Sequence, residues 1–214
     1  MIRSEAEKII QRIDHLPLYL HAYAYHLNMR VENILPLDLL DIAAEQKLFG
    51  VKIHVLDGET RSLGQSDDRN LALFGQKAAQ LGLDIHIETS SSEPKLIDQA
   101  VDIALKVKAS SVRFYPRYEG HLQQVIAKID SDIQYIKNTY SDSGLTFTLE
   151  QHEDLKGAEL ADIVSRSGMD TLSILFDFAN MINANEQPLA ALSDMAPWVT
   201  QVHIKDALII PEGK

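Results

Sequence analysis

The chain has 214 residues, 45% of them hydrophobic and 24% charged, an ordinary soluble composition with enough length for one large core or two small ones. It contains no Cys, which excludes disulfides, thiolate catalysis and cysteine-ligated zinc or iron–sulfur centres. A net charge of −11 disfavours attraction to nucleic acid or anionic membrane, and no apolar run approaches the ~20 residues that span a bilayer.

In chain order, "MIRSEAEKIIQRIDHL" has a helical period with mixed charge and no apolar segment after its basic residue. A secretory signal is not expected, and the chain reads as cytoplasmic. Strands are then expected at 17–24, 51–57, 83–88, 110–116, 145–150, 172–177 and 199–204. Helices are expected between them at 34–48, 66–81, 94–108, 119–139, 156–167 and 187–194. Gly50 and Gly82 are read as glycines closing helices, and Ser92 as an N-cap with Pro94 in the first turn. In the helix that follows, Leu96, Ile97, Ala100, Val101, Ala104 and Val107 form an apolar stripe. No linker or low-complexity segment interrupts the alternation, so residues 1–214 read as a single domain.

Strict β–α alternation implies parallel strands joined by right-handed crossovers, in an open doubly wound sheet or a (β/α)8 barrel. Strand parity chooses between them. His54 opposes Ile53 and Val55; Asp84, His86 and Glu88 oppose Ile85 and Ile87; Arg113 and Tyr115 oppose Val112 and Phe114. Thr146, Thr148 and Glu150 oppose Leu145, Phe147 and Leu149, and Gln201, His203 and Lys205 oppose Val202 and Ile204. Doubly wound strands are covered on both faces and read almost continuously apolar, whereas a barrel can keep a polar interior near its mouth. The expectation is a (β/α)8 TIM barrel lacking its last strand and helix, since seven strands are seen and "IIPEGK" reads as a loop. If the chain ends there, the open edges imply either low stability or association with another chain, a second copy included.

Barrel sites lie at the C-terminal strand ends, where Glu88, Glu150, His152, Asp177, His203 and Lys205 collect. Glu150 and His152, in "FTLEQHED", are two residues apart and so share a strand face. Carboxylates with imidazole suit a divalent ion such as Mn²⁺, Mg²⁺, Co²⁺ or Zn²⁺, and Glu150, Asp177 and His203 sit on three consecutive strands ~4.8 Å apart. Taken singly, each has a plainer explanation. Glu150 can be a solvated strand end, Asp177 a turn or N-cap formed with Asn180, and His203 an internal hydrogen-bonding partner. His21, His54 and His86 are read as interior or rim histidines, and Arg113, Arg117 and Lys205 as ion-pair partners. What links the candidates is shared parity at corresponding strand ends.

The ordered stretches "FTLEQH", "LFDFAN" and "VTQVHIKDA" resemble the sugar-phosphate isomerase/epimerase superfamily of xylose isomerase-like barrels. The resemblance implies Glu150, Asp177 and His203 as metal ligands, with Glu150 also a catalytic acid or base. It implies His152 beside the metal at the substrate, Asn180 facing substrate, and Lys205 as a contact for a hydroxyl or phosphate. Glu88 and Arg113 are assigned to substrate binding with them. Family members usually add a fourth ligand, a Glu on strand eight, which this sequence lacks. The implied activity is isomerisation or epimerisation of a small sugar, ketose or sugar phosphate by proton abstraction to an enediolate. The alternatives are an inosose- or 3-dehydroshikimate-type dehydratase and a non-catalytic carbohydrate-binding member. An endonuclease IV-like role fits a chain at −11 poorly. The expected partner is a sugar or polyol, with no nucleic acid and no membrane.

Overall fold

The computed structural model describes residues 3–152 and 154–205. In chain order it contains α1 (Arg3–Ile13), β1 (Tyr19–His21), α2 (His26–Arg30), α3 (Pro36–Glu45), β2 (Gly50–His54) and α4 (Asp68–Leu81). There follow β3 (Asp84–Thr89), α5 (Pro94–Val107), β4 (Ser111–Phe114), α6 (Leu122–Tyr140) and β5 (Thr146–Glu150). The last are α7 (Gly157–Ser167), β6 (Leu172–Asp177), α8 (Phe178–Asn183), α9 (Pro188–Met195) and β7 (Val199–His203). All seven expected strands and all six expected helices form, and the short α2 and α8 add turns the periodicity did not mark. The loop expected at the chain's end lies outside the described residues. No described helix is long and apolar enough to cross a membrane.

Local chemistry explains most boundaries. Asp67 caps α4 by accepting from the Asn70 N–H at 2.8 Å, and Gly82 ends that helix with φ +69°, a left-handed conformation that suits glycine. Three expectations are corrected. Gly50 closes no helix; it opens β2, where a Cβ would meet the Asp84 carbonyl oxygen at 2.3 Å, so close strand contact is its reason to be glycine. The turn out of α3 instead uses Lys47 at φ +56°. Ser92 does not cap α5, whose N-cap is Glu93; its hydroxyl donates to Asp132 at 2.6 Å. In α5, Leu96, in the first turn, lies toward solvent, and Ile103, one heptad on and almost on the same face, joins the buried stripe.

The strands form one parallel sheet in the order β1-β2-β3-β4-β5-β6-β7. Register aligns Lys52 with His86 and Ser111, and in the next row His54 with Glu88, Arg113 and Thr148. The apolar parity faces outward, where Ile53, Ile87, Phe114 and Phe147 are fully buried against helices carrying Leu39, Leu40, Phe74, Ile97, Ile129 and Ile133. Each such side chain contributes about 1.5–3 kcal/mol by leaving water. The polar parity faces inward. Among the described residues no backbone ladder joins β7 to β1, yet Lys52 on β2 donates to Gln201 on β7, and the His21 and His203 rings meet edge to face at 4.7 Å. The sheet is therefore curled until its first and last strands face each other across a polar interior, as a seven-stranded partial (β/α)8 barrel.

Candidate metal and substrate site

Pleat and register bring carboxylates and imidazoles together at the C-terminal ends of the strands. One ligand atom each from Glu150, Asp177 and His203 lies within 4.8 Å of the others, and so does one each from His21, Glu88 and His203. Glu88, Glu150, Asp177 and His203 are all buried. The two groups share His203 through different atoms. Its Nδ1 stands 3.3 Å from Asp177 Oδ2 and 3.4 Å from Glu150 Oε1, while Nε2 faces Glu88 Oε1 at 3.8 Å.

Arg113 organises the carboxylates. Its Nη2 pairs with Glu88 Oε2 at 2.5 Å, Nε stands 3.2 Å from Glu150 Oε2, and Nη1 donates to the Thr89 carbonyl at 3.4 Å. Each glutamate thus gives one oxygen to the guanidinium and turns the other, Oε1, toward His203. Burial opposes the charge on Glu88, but Arg113, His21 and His203 hold it well below the usual carboxylate range. Glu150 and Asp177 are likewise held down against burial, the first chiefly by Arg113, the second by His203 and Lys205. Burial would discharge His203, yet hydrogen bonds to Asp177, Glu150 and Glu88 outweigh it and raise its pKa to about 10. Deeper in the barrel, burial lowers Lys52 to about 8 despite the attraction of Glu88.

The donor set fits a divalent cation. Glu88 Oε1 and His203 Nε2 face each other at 3.8 Å, too far for a hydrogen bond, and neither has another hydrogen-bond partner among the described residues; Glu150 Oε2 has the Arg113 ion pair and His21 Nε2 the Glu88 one, without a well-formed hydrogen bond. Leaving such atoms dry and unpaired is costly, and oxygen and imidazole donors of this kind coordinate Mn²⁺, Mg²⁺, Co²⁺ or Zn²⁺.

The remaining expected residues fall around this cluster. Asp177 has both its plain and its clustered role, since Oδ1 accepts the Asn180 N–H at 3.2 Å while Oδ2 faces His203 and Lys205. Asn180 is buried, donating through Nδ2 to the Gln151 carbonyl at 3.2 Å and accepting from Lys205 at 3.5 Å. His152 is not in either ligand group; it stacks on Tyr115 with centroids 4.2 Å apart and planes 4° from parallel, at the rim. Sequence reasoning assigned His21 to the interior or rim without joining it to Glu88, set Tyr115 on the polar face without giving it a role, and passed over Asp57 and Ser90. His21 ends a strand of only three residues, too few for parity to place it. Ser90 lies in a loop, where no periodicity points to it.

Adjoining the cluster at His21, Glu88 and Arg113 is an open cavity of about 210 Å³ whose lining also includes His54, Asp57, Ser90 and Tyr115. Its floor is the Glu88–Arg113 pair and its walls are aromatic and polar.

No family model matches the chain. Uncharacterized protein YihM from Escherichia coli (strain K12) is 66% identical over 209 residues, 98% of this chain; the chain spans 64% of that relative's length. Three solved structures share the fold. One is a D-psicose 3-epimerase crystallised in the presence of D-fructose, at TM-score 0.71 and 11% identity, covering 88% of this chain and 72% of that one. A xylose isomerase domain protein from Planctomyces limnophilus matches at 0.70 and 18%, covering 91% and 75%. The probable 3-DHS dehydratase AsbF from Bacillus anthracis matches at 0.70 and 17%, covering 89% and 73%. The fold shared with these structures is that of a (β/α)8 TIM barrel, of which this chain shows seven strands.

Proposed function

We propose that the chain is a divalent-metal-dependent isomerase or epimerase that acts on a small sugar, ketose or sugar phosphate by moving a proton at the carbon next to a carbonyl. The observation that carries this reading is the convergence of Glu150, Asp177 and His203, buried and with ligand atoms within 4.8 Å of one another, next to a cavity that His21, Glu88 and Arg113 line. Glu150, Asp177 and His203 would hold the ion, with Glu88 and His21 adjoining. When bound, the ion polarises a carbonyl and makes the neighbouring carbon acidic.

The rest of the work falls to side chains. Glu150, kept ionised by Arg113, can take the proton and return it to the neighbouring carbon. Arg113 fixes the direction of both glutamates, so that the base does not swing between rotamers. His152 on Tyr115 closes one side of the substrate space, while Asn180 and Lys205 offer amide and ammonium contacts to substrate oxygens. A dehydratase would use the same groups to expel a hydroxyl, and a product that has lost water would identify it.

The test is thermal unfolding of metal-free protein titrated with Mn²⁺, alongside Glu150→Gln and Asp177→Asn. At ~100 times the dissociation constant a specific ion adds about 2.7 kcal/mol to the native state. We expect the wild type to gain that stability and both variants to lose most of the gain. An unshifted wild type would overturn the metal reading and leave the non-catalytic carbohydrate-binding alternative.

A further inference from the structure

Hydrogen-bond polarity fixes the far wall of the cavity. The Leu56 N–H donates to His54 Nδ1 at 3.1 Å, so that nitrogen carries no proton and Nε2 carries the one that remains. Nε2 lies 2.8 Å from Ser90 Oγ and therefore donates to it. The Tyr115 hydroxyl donates to the same oxygen, also at 2.8 Å. Ser90 Oγ thus accepts twice, and its own hydroxyl hydrogen is left to donate into the cavity. Beside it, Asp57 accepts the His54 backbone N–H at 3.0 Å through Oδ2 and lines the same wall. The wall therefore presents a donor and a carboxyl acceptor, the pair that reads adjacent hydroxyl groups.

Among the described residues, the wall also offers no cation free to meet a phosphate. Burial, with Arg113 nearby, lowers His54 to about 4, so it is neutral at physiological pH. Arg113 is spent on Glu88 and Glu150, and Lys205, which pairs with Asp177 and lies near Asn180, is not among the residues that line this wall. Arg117 is exposed, with its guanidinium 5.2 Å from the Tyr115 ring centroid, outside the residues that line the cavity.

We propose that the wall formed by His54, Asp57, Ser90 and Tyr115 binds the uncharged, hydroxylated end of the substrate, which makes that substrate a free sugar rather than a sugar phosphate. This rests on the proposed function and narrows its substrate class. Ser90 and Asp57 are specificity-determining residues, and the Tyr115 ring offers its face to the carbon skeleton.

The experiment is calorimetric titration of the Mn²⁺-loaded full chain with free ketoses of four to six carbons and with their terminal monophosphates. It is repeated for Ser90→Ala, Asp57→Asn and Arg117→Ala, with thermal unfolding of each variant as a control for folding. A free ketose should bind at least tenfold more tightly than its phosphate. Asp57→Asn and Ser90→Ala should each weaken it by about tenfold, and Arg117→Ala should change little. Asp57→Asn is nearly isosteric, so it keeps the test alive if Ser90→Ala folds poorly. Tighter binding of a monophosphate, lost in Arg117→Ala, would overturn this inference and leave the proposed function standing. Free ketose binding unaffected by either wall variant would also overturn it. Mn²⁺-loaded protein that binds neither class would overturn the sugar reading itself.

Discussion

The wall made by β3, β4 and β5 and the seam between β7 and β1 border the same polar interior but are held together by different means. Along the wall, backbone ladders run without interruption, Phe114 and Phe147 are fully buried behind it, and Arg113 ties Glu88 to Glu150 in front. At the seam, contact among the described residues is made by side chains, Lys52 to Gln201 and His21 to His203. The outer face there is apolar and open: Val202 is 50% exposed and Ile204 82%. The candidate site is therefore positioned from the wall side, and His203 approaches carboxylates that Arg113 has already aimed.

The largest expected effect comes from breaking the wall's charge clamp. Arg113→Met leaves two buried carboxylates without their cation and should cost about 3–5 kcal/mol in urea unfolding of the metal-free protein. Arg113→Lys should recover only part of this, because an ammonium cannot make the two-point contact. A loss below about 1 kcal/mol for Arg113→Met would mean that the wall does not depend on the clamp.

A smaller, pH-dependent effect lies where the wall meets β1. Asp84 accepts from Tyr19 Oη at 2.7 Å and Ser110 Oγ at 2.8 Å, with His86 Nε2 at 3.1 Å. Burial opposes its charge, but these hydrogen bonds win and lower its pKa from 3.8 to about 2. A depressed folded-state pKa stabilises the fold fully above the unfolded value, and that stability is lost as pH falls through the folded one. The stability gap between wild type and Asp84→Asn should hold at neutral pH and shrink between about pH 4 and pH 2. A gap that is constant with pH would show that the network does not depend on the charge.

At the seam the effect should be slight. Ile204→Thr replaces an exposed apolar side chain and should change stability by no more than about 0.5 kcal/mol. A loss of several kcal/mol would show that this face is covered in solution and would remove the contrast with the wall.

Much of this molecule is legible in its sequence because two periodicities agree. Period-two polarity marks the strands and their inward faces, and period 3.6 marks the helices between them. Glu150, Asp177 and His203 were readable because each ends a well-marked strand with the same parity. What could not be read depends on alignment between strands. Parity says that Arg113 points inward, but only register sets it beside Glu88 and below Glu150. His21 belongs to a three-residue strand too short to advertise its phase, and Ser90 to a loop with none. Gly50 misled for a related reason: a glycine between helix and strand resembles a cap, whereas its cause lies across the sheet at Asp84.

The buried Lys52 amine gives the seam a chemical clock. With a pKa of about 8, it is roughly one-tenth unprotonated at pH 7, while ordinary surface lysines are almost wholly charged. Neutral amines acylate, so Lys52 is intrinsically the more reactive group but is sealed from reagent behind Gln201. Its modification rate would therefore measure how often the barrel breathes open between its first and last strands, a motion that absorbance and circular dichroism would miss.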